Sequence, residues 1–422
     1  MLDMKRFSMP SAERLWSGAK TALAVTVGLQ ITAVGIVTAI DERRKRREPP
    51  TGEFPHFKPK TSAVTSTEVT TYTFGHDLYD AMLEDINNAT ESVYFETYIW
   101  KADDIGKRFR EAIINAAKRG VSTYVIVDVF GNLNQDPRFR HFPKIDHLHV
   151  LRFPFLHPGR FLGLIRHSGL DHRKLLIVDS KISYIGGYNI GQLYADHWRD
   201  THIRLEGPQS WELENAFVDM WNSHRPRREK RLTDRGTTEW SSRLRAVQNL
   251  PSRLSYPIRS IYLDALDRAA SHAWITMGYF IPDRDLQEAL IAAAERGVDV
   301  RVLLPEYSNH IVADWVGRPS YAALLDAGVR IFLFQGAMVH SKTMTVDGKW
   351  STVGTANIDA LSMRGNYEIN VELYSDSHAS LMEKIFKLDL TNTRELTTKE
   401  WQSRPFLARV LERILRPLGI IL

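Results

Sequence analysis

From Thr21 to Ile40 the chain runs for twenty positions without a charge, built from Ala, Val, Ile and Leu with two Gly, four Thr and Gln30. That length lets one helix cross a bilayer. A buried soluble helix of this size shows polar positions at a 3.6-residue period, and here no position carries a charge. Arg43, Arg44, Lys45, Arg46 and Arg47 follow almost at once. Such a cluster resists translocation, so the pattern predicts an uncleaved anchor rather than a signal peptide, with the body of the protein in the cytoplasm. Removal of residues 1–47 is then expected to weaken membrane association and leave the fold intact.

Beyond a Pro-rich, charged stretch from Glu48 to Ser62, the hydrophobic spacing alternates between helical and strand periods. Leu78–Asn88 reads as a helix, Ser92–Trp100 as a strand, Gly106–Lys118 as a helix and Val121–Val129 as a strand. After a basic region, His224 to Arg253, the order returns. Ile258–Ala273 reads as a helix, Trp274–Ile281 as a strand, Leu286–Glu295 as a helix and Val298–Leu304 as a strand. The halves also share words: Ala-Ala-Lys-Arg-Gly-Val ends at Val121 and Ala-Ala-Glu-Arg-Gly-Val at Val298, and each leads through a strand to an Asn, Asn132 or Asn309. The Gly of each is placed to end a helix. This is α/β patterning, duplicated.

At 422 residues, 43% hydrophobic and 25% charged, the chain suits two compact units and is neither disordered nor a polytopic membrane protein. The absence of cysteine excludes disulfide scaffolds, thiolate metal sites and cysteine nucleophiles. A net charge of +5 is a mild bias toward anionic partners.

The chemistry lies in two segments, DHRKLLIVDSKISYIGGYNIG from Asp171 and VHSKTMTVDGKWSTVGTANID from Val339. Both carry His-x-Lys-x4-Asp-x6-Gly-(Gly/Thr)-x-Asn: His172, Lys174, Asp179, Gly186, Gly187 and Asn189, then His340, Lys342, Asp347, Gly354, Thr355 and Asn357. A carboxylate stands 28 positions after each His, Asp200 and Glu368, and the copies are 168 residues apart (340 minus 172). Five fixed matches have a chance of roughly 10⁻⁷ to 10⁻⁶ per start position at average usage. In a strand, positions i and i+2 share a face, so each His–Lys pair is predicted to point one way. Displacement at a phosphodiester needs a nucleophile, an acid for the leaving alkoxide and cations around the phosphoryl oxygens, and the duplicated set supplies all three. Metal binding by His172, His340, Asp179 and Asp347 is the chemical alternative. The lysines oppose it, since two ammonium groups beside the imidazoles repel a divalent cation.

These motifs resemble those of the phospholipase D superfamily, and the wider text is similar to its bacterial cardiolipin synthase branch: Glu96-Thr97-Tyr98, Asp128 with Gly131, WRDTH from Trp198, GYFIPD from Gly278 and Asn366-Tyr367-Glu368. The resemblance covers about residues 70–387. It implies an α/β fold of two tandem phospholipase D-like α/β/α repeats packed around one shared active site, with the N-terminal membrane helix added. The expected organisation is an N-terminal segment 1–47 with its transmembrane helix at about 21–40, a linker 48–62, repeat 1 at 63–223, a basic connector 224–253, repeat 2 at 254–395 and an amphipathic segment 396–422.

The implied activity is transfer of a phosphatidyl group from one phosphatidylglycerol to another through a phosphohistidine, releasing glycerol. The resemblance implies His172 as nucleophile, His340 as acid, Lys174 and Lys342 with Asp179 and Asp347 completing the catalytic motifs, and Asp200 and Glu368 as orienters. Asn189 and Asn357 are expected as supports, and Gly187 and Thr355 against the substrate. Asp179 and Asp347 look more like residues that tie the motif down. No cofactor and no metal is implied; the expected partners are phospholipids and a membrane, not nucleic acid.

Leu361 stands where cardiolipin synthases often have an Arg, which leaves a hydrolase of phospholipid or nucleic acid as the alternative. A nuclease would show a larger positive excess and basic–aromatic interleaving. Two further segments bear on lipid: Phe153–Leu164, a lip at a lipid entrance or core, and Phe406–Leu415, apolar at helical spacing with Arg409, Arg413 and Arg416 between, an interfacial helix or one docked on the protein's own core.

Overall fold

The computed structural model describes residues 12–154, 169–234, 236, 239, 241–420 and 422. Helix α1 (Ala12–Arg47) carries the uncharged stretch and runs on, unbroken, through the basic cluster. The cations lie in its last turn, where the exposed carbonyls favour them, and Lys45 closes a 2.7 Å pair with Asp41 one turn back. Among the described residues α1 is the one helix long and apolar enough to cross a membrane. Leu23, Val25, Leu29 and Ile31 are exposed along it.

Residues 48–59 are irregular but not a free tether. Gly52 N–H donates to Gly336 O at 2.8 Å, and Phe54 is buried among Trp274, Phe332, Phe334 and Phe386. Apolar side chains override the polar composition that predicted a linker.

The first sheet collects β1 (Lys60–Val64), β2 (Thr67–Tyr72), β3 (Ser92–Thr97), β4 (Ser122–Asp128), β5 (Leu148–Phe153), β6 (Leu175–Val178), β7 (Ile182–Gly186) and β9 (His202–Glu206), with the short β8 (Trp198–Arg199) outside it. Its order is β1-β2-β9-β7-β6-β3-β4-β5. Only the β3–β4–β5 pairings are parallel. Helices α2 (Gly75–Asn88) and α3 (Asp104–Lys118) cover one face, α4 (Gln192–His197) precedes β8, and α5 (Trp211–His224) covers the other face.

The second sheet repeats the scheme with β10 (Leu244–Asn249), β11 (His272–Met277), β12 (Asp299–Pro305), β13 (Arg330–Phe334), β15 (Lys342–Val346), β16 (Trp350–Gly354), β17 (Glu368–Tyr374) and β18 (Thr393–Leu396), in the order β10-β17-β16-β15-β11-β12-β13-β18. The short β14 (Met338–Val339) instead pairs with β8 of the first half. Helices α6 (Ile258–Arg268) and α7 (Arg284–Glu295) pack outside. They are joined in chain order by α8 (Ile311–Gly317), α9 (Pro319–Asp326), α10 (Ala360–Arg364), α11 (Asp376–Leu390), α12 (Thr398–Gln402) and α13 (Phe406–Leu415).

The expected basic connector is therefore not all connector, since its end, β10, forms an edge strand of the second sheet along β17. Ile185 and Ile203 of the first sheet meet Val353, Ile369 and Val371 of the second in one buried cluster, which holds the halves face to face.

The repeated word is a double cap. Gly120 and Gly297 end α3 and α7 with φ of +91° and +89°, a conformation Gly adopts without penalty. The preceding Arg119 and Arg296 each reach the last carbonyls of the neighbouring helix, Ile86 and Ala89, or Leu266 and Ala269.

Candidate active site

The His-x-Lys segments sit where β6 and β15 begin. They are less strand-like than expected: His172 to Lys174 form an extended approach to β6, and β15 opens at Lys342, two residues after His340. Each Lys curls back to its own His, Lys174 Nζ donating to His172 O at 2.7 Å and Lys342 Nζ to His340 O.

The carboxylates cross between the halves. His172 Nδ1 lies 3.0 and 3.1 Å from the two Glu368 oxygens, and His340 Nδ1 lies 2.7 Å from Asp200 Oδ2. The backbone crosses as well, with His172 N–H donating to Tyr367 O at 3.0 Å and His340 N–H to Arg199 O at 2.8 Å. An Nδ1–H facing a carboxylate fixes the tautomer and leaves Nε2 with its lone pair free. The His172 side chain is 12% exposed and that of His340 4%, so His172 is the more open of the two.

Burial sets the electrostatics. It drives both imidazoles well below their usual pKa, and the charges of Lys174 and Lys342 push the same way. Glu368 is lifted by burial to about 8 and Asp200 to about 6, each held back by the nearby lysines. Burial lowers Lys174 to about 8 and Lys342 to about 7. The free site thus favours neutral histidines under a cationic roof. Tyr98 covers His172, with ring centroids 4.8 Å apart, and Lys174 Nζ lies 5.3 Å over the same ring.

Asp179 and Asp347 stand apart from this cluster, at the far ends of β6 and β15, with φ of +52° and +54°. Asp179 accepts from the N–H groups of Thr90, Glu91 and Ser92, and Asp347 from those of Ala270, Ser271 and His272. Each pins the turn after its motif strand to the start of the neighbouring strand, away from the imidazoles with which the motif groups it.

Gly187 and Thr355 also differ from expectation. A Cβ at Gly187 would run into the Asp200 carboxylate, and Thr355 Oγ1 donates to Glu368 Oε2 at 2.5 Å. They shape the orienting carboxylates from behind. Asn189 and Asn357 accept from the N–H groups of Ile99 and Tyr279, both at 3.2 Å, and so hold the ends of β3 and β11.

Several residues take roles that their sequence context did not assign. Arg173, fully buried between His172 and Lys174, forks onto Glu96 at 2.9 and 2.7 Å and reaches Gln248 at 2.9 Å. As the middle residue of His-x-Lys it had to face away from its neighbours, the one signal available. Arg199 forks onto Asp389 at 2.9 and 2.7 Å and touches Ser341 at 3.0 Å. Asp128, raised to about 6 by burial, accepts from Asp171 N–H at 3.0 Å. Ser362, beside Leu361, counters the upward shift of Glu368, and its N–H donates to Asp359 at 2.7 Å. Among the described residues no group of three or more His, Asp and Glu is arranged to hold a metal ion. Of the expected lip, Phe153 is buried against His224 and Tyr367, and residues 155–164 lie outside the described residues.

The family described as "Cardiolipin synthase, PLD-like domain" matches residues 82–221 and 262–390, one stretch for each sheet. The chain belongs to this phospholipase D-like cardiolipin synthase family. Among its relatives is the cardiolipin synthase of Clostridium perfringens, 31% identical over 367 residues, spanning 83% of this chain and 76% of that protein. The major cardiolipin synthase ClsA of Bacillus subtilis is 31% identical over 361 residues, spanning 83% and 74%. In fold the family member is also similar to the crystal structure of the phosphatidylserine synthase of Haemophilus influenzae, with a TM-score of 0.64 at 13% identity over 90% of this chain and 98% of that one.

Proposed function

We propose that the protein is a membrane-anchored phosphatidyltransferase that makes cardiolipin from two molecules of phosphatidylglycerol. The observation that carries this reading is the pair of crossed histidine–carboxylate contacts, flanked by two lysines, in one buried site. His172 Nε2 attacks phosphorus as the bond to the glycerol oxygen breaks, and that oxygen leaves with a proton from His340. A second phosphatidylglycerol then gives its hydroxyl proton to His340 and attacks phosphorus, breaking the P–Nε2 bond. Lys174 and Lys342 neutralise the phosphoryl oxygens, and Glu368 and Asp200 hold the imidazole tautomers. An anionic phosphodiester offsets the lysine charge that depresses His340, so substrate binding itself loads the acid with its proton.

The anchor is single-pass, with the Arg43–Arg47 cluster and the catalytic body on the cytoplasmic side. In mixed micelles of phosphatidylglycerol the purified protein yields cardiolipin and free glycerol in equal amounts. His172→Ala and His340→Ala each abolish turnover, and their losses do not add, because the two act as one unit. Phosphatidic acid as the dominant product identifies a hydrolase instead, and survival of either variant within about tenfold of wild type rules out the shared site.

A further inference from the structure

Helix α13 has three sectors rather than two. Leu411 and Leu415 are buried with Ala33 and Val37 of α1 and with Trp315 and Val316 of α8, so this face docks on the protein's own core. Glu412, also on that side, is neutralised by Arg404 at 3.0 Å. A helix with that role alone needs one apolar face. Here Phe406, 75% exposed, and Leu407, 56% exposed, form a second apolar strip with the half-buried Val410 and Ile414. At 3.6 residues per turn these four fall side by side. The exposed Arg409, Arg413 and Arg416 fill the remaining sector and make no ion pair among the described residues.

Helix α1 gives the depth of that strip. The uncharged stretch ends at Ile40, and Ala33, seven residues earlier, lies about 10 Å further along at 1.5 Å per residue. Because α13 touches Ala33 and Val37, a bilayer that covers the exposed Leu23, Leu29 and Ile31 rises to the level of α13. Amphipathic helices lie at a depth of roughly 5–10 Å, apolar side inward and basic side toward anionic headgroups. Ile420 and Leu361, also exposed, border a groove of about 910 Å³. Leu361 lies in α10, the short helix that leads into β17 and its first residue, Glu368.

We propose that α13 lies in the membrane interface beside α1, as a second contact that sets the wall of the candidate active site against the lipid headgroups. This rests on the reading of α1 as a membrane span. The chain has no cysteine, so single nitroxide labels report cleanly. Leu407→Cys and Phe406→Cys are compared with Leu29→Cys in the span and Lys118→Cys on the far surface, in the full-length protein in vesicles of phosphatidylcholine and phosphatidylserine. The expected result is loss of relaxation by a water-soluble nickel complex, with oxygen relaxation retained, at 406, 407 and 29 but not at 118. Nickel access at 406 and 407 with protection at 29 overturns this proposal; nickel access at 29 overturns the span itself. Dipolar broadening at 407 that vanishes on dilution with unlabelled protein assigns the strip to a second copy and overturns the lipid contact.

Discussion

At Gly187 and Thr355 the two halves give equivalent positions different work. Where the carboxylate is the short Asp200, the neighbouring residue is a glycine that leaves it room; where it is the longer Glu368, the neighbour is a threonine that bonds it. Thr355→Val keeps the shape and removes that hydrogen bond. With Glu368 lifted to about 8, the bond is one between neutral groups near pH 7 and is worth about 0.5–1.5 kcal/mol, so kcat is expected to fall about twofold to tenfold, with little change in KM, and Thr355→Ser is expected to restore it. Steady-state kinetics on the three proteins check this.

The lysines predict a pH profile. Burial lowers Lys342 to about 7 and Lys174 to about 8 in the free enzyme, so their charges are present below those values and lost as pH rises through them. The expected kcat/KM falls across about pH 7 to 8, far below an ordinary lysine, and a flat profile to pH 9 contradicts it. Spacing made these residues legible, since His, Lys and carboxylate recur at one offset. Which carboxylate serves which histidine was not legible, because that choice is made by packing between sheets.

Among the elements, α1 does more than offer a candidate membrane span. Arg44 Nη2 donates to Glu306 O at 2.6 Å with its guanidinium 4.1 Å over the Tyr307 ring, and Lys45 Nζ donates to Ser308 O at 2.9 Å. That loop continues into Asn309, which accepts from Tyr279 at 2.7 Å, and the Tyr279 ring lies 5.7 Å from that of His340. The last turn of α1 thus clamps a loop that leads to the site. Removal of residues 1–47 is therefore expected to cost activity as well as membrane binding, contrary to the expectation from repeat boundaries alone. Arg44→Ala with Lys45→Ala, in the full-length chain, is expected to lower stability by about 2 kcal/mol and turnover severalfold while the protein stays in the membrane fraction. Fractionation and thermal denaturation in detergent separate the two effects. The sequence displayed the basic cluster; its contact partners lie some 260 residues away and leave no local pattern.

For the molecule as a whole, the duplication was legible and the seam was not. Alternating periods and the shared words predicted two α/β units, but LRAVQN, the run that becomes β10, buries only Leu244, Val247 and Asn249, without strand alternation, amid a basic stretch. It reads as connector until β17 is there to pair with it. The seam also contains the Arg199–Asp389 pair, both partners 2% exposed. Removing one partner of a buried pair leaves the other charge uncompensated at about 3–5 kcal/mol. Asp389→Ala is expected to destabilise by that amount, read from denaturant unfolding in detergent.

The exchange of carboxylates has a meaning for biosynthesis. Ribosomes release the chain from its amino end, so His172 emerges long before Glu368 has been polymerised, and Asp200 waits for a histidine 140 residues downstream. A stalled or proteolysed product that stops between the sheets holds His172 without Glu368 and Asp200 without His340. On the proposed mechanism unfinished copies are therefore chemically silent, and competence arrives only when the second sheet closes on the first.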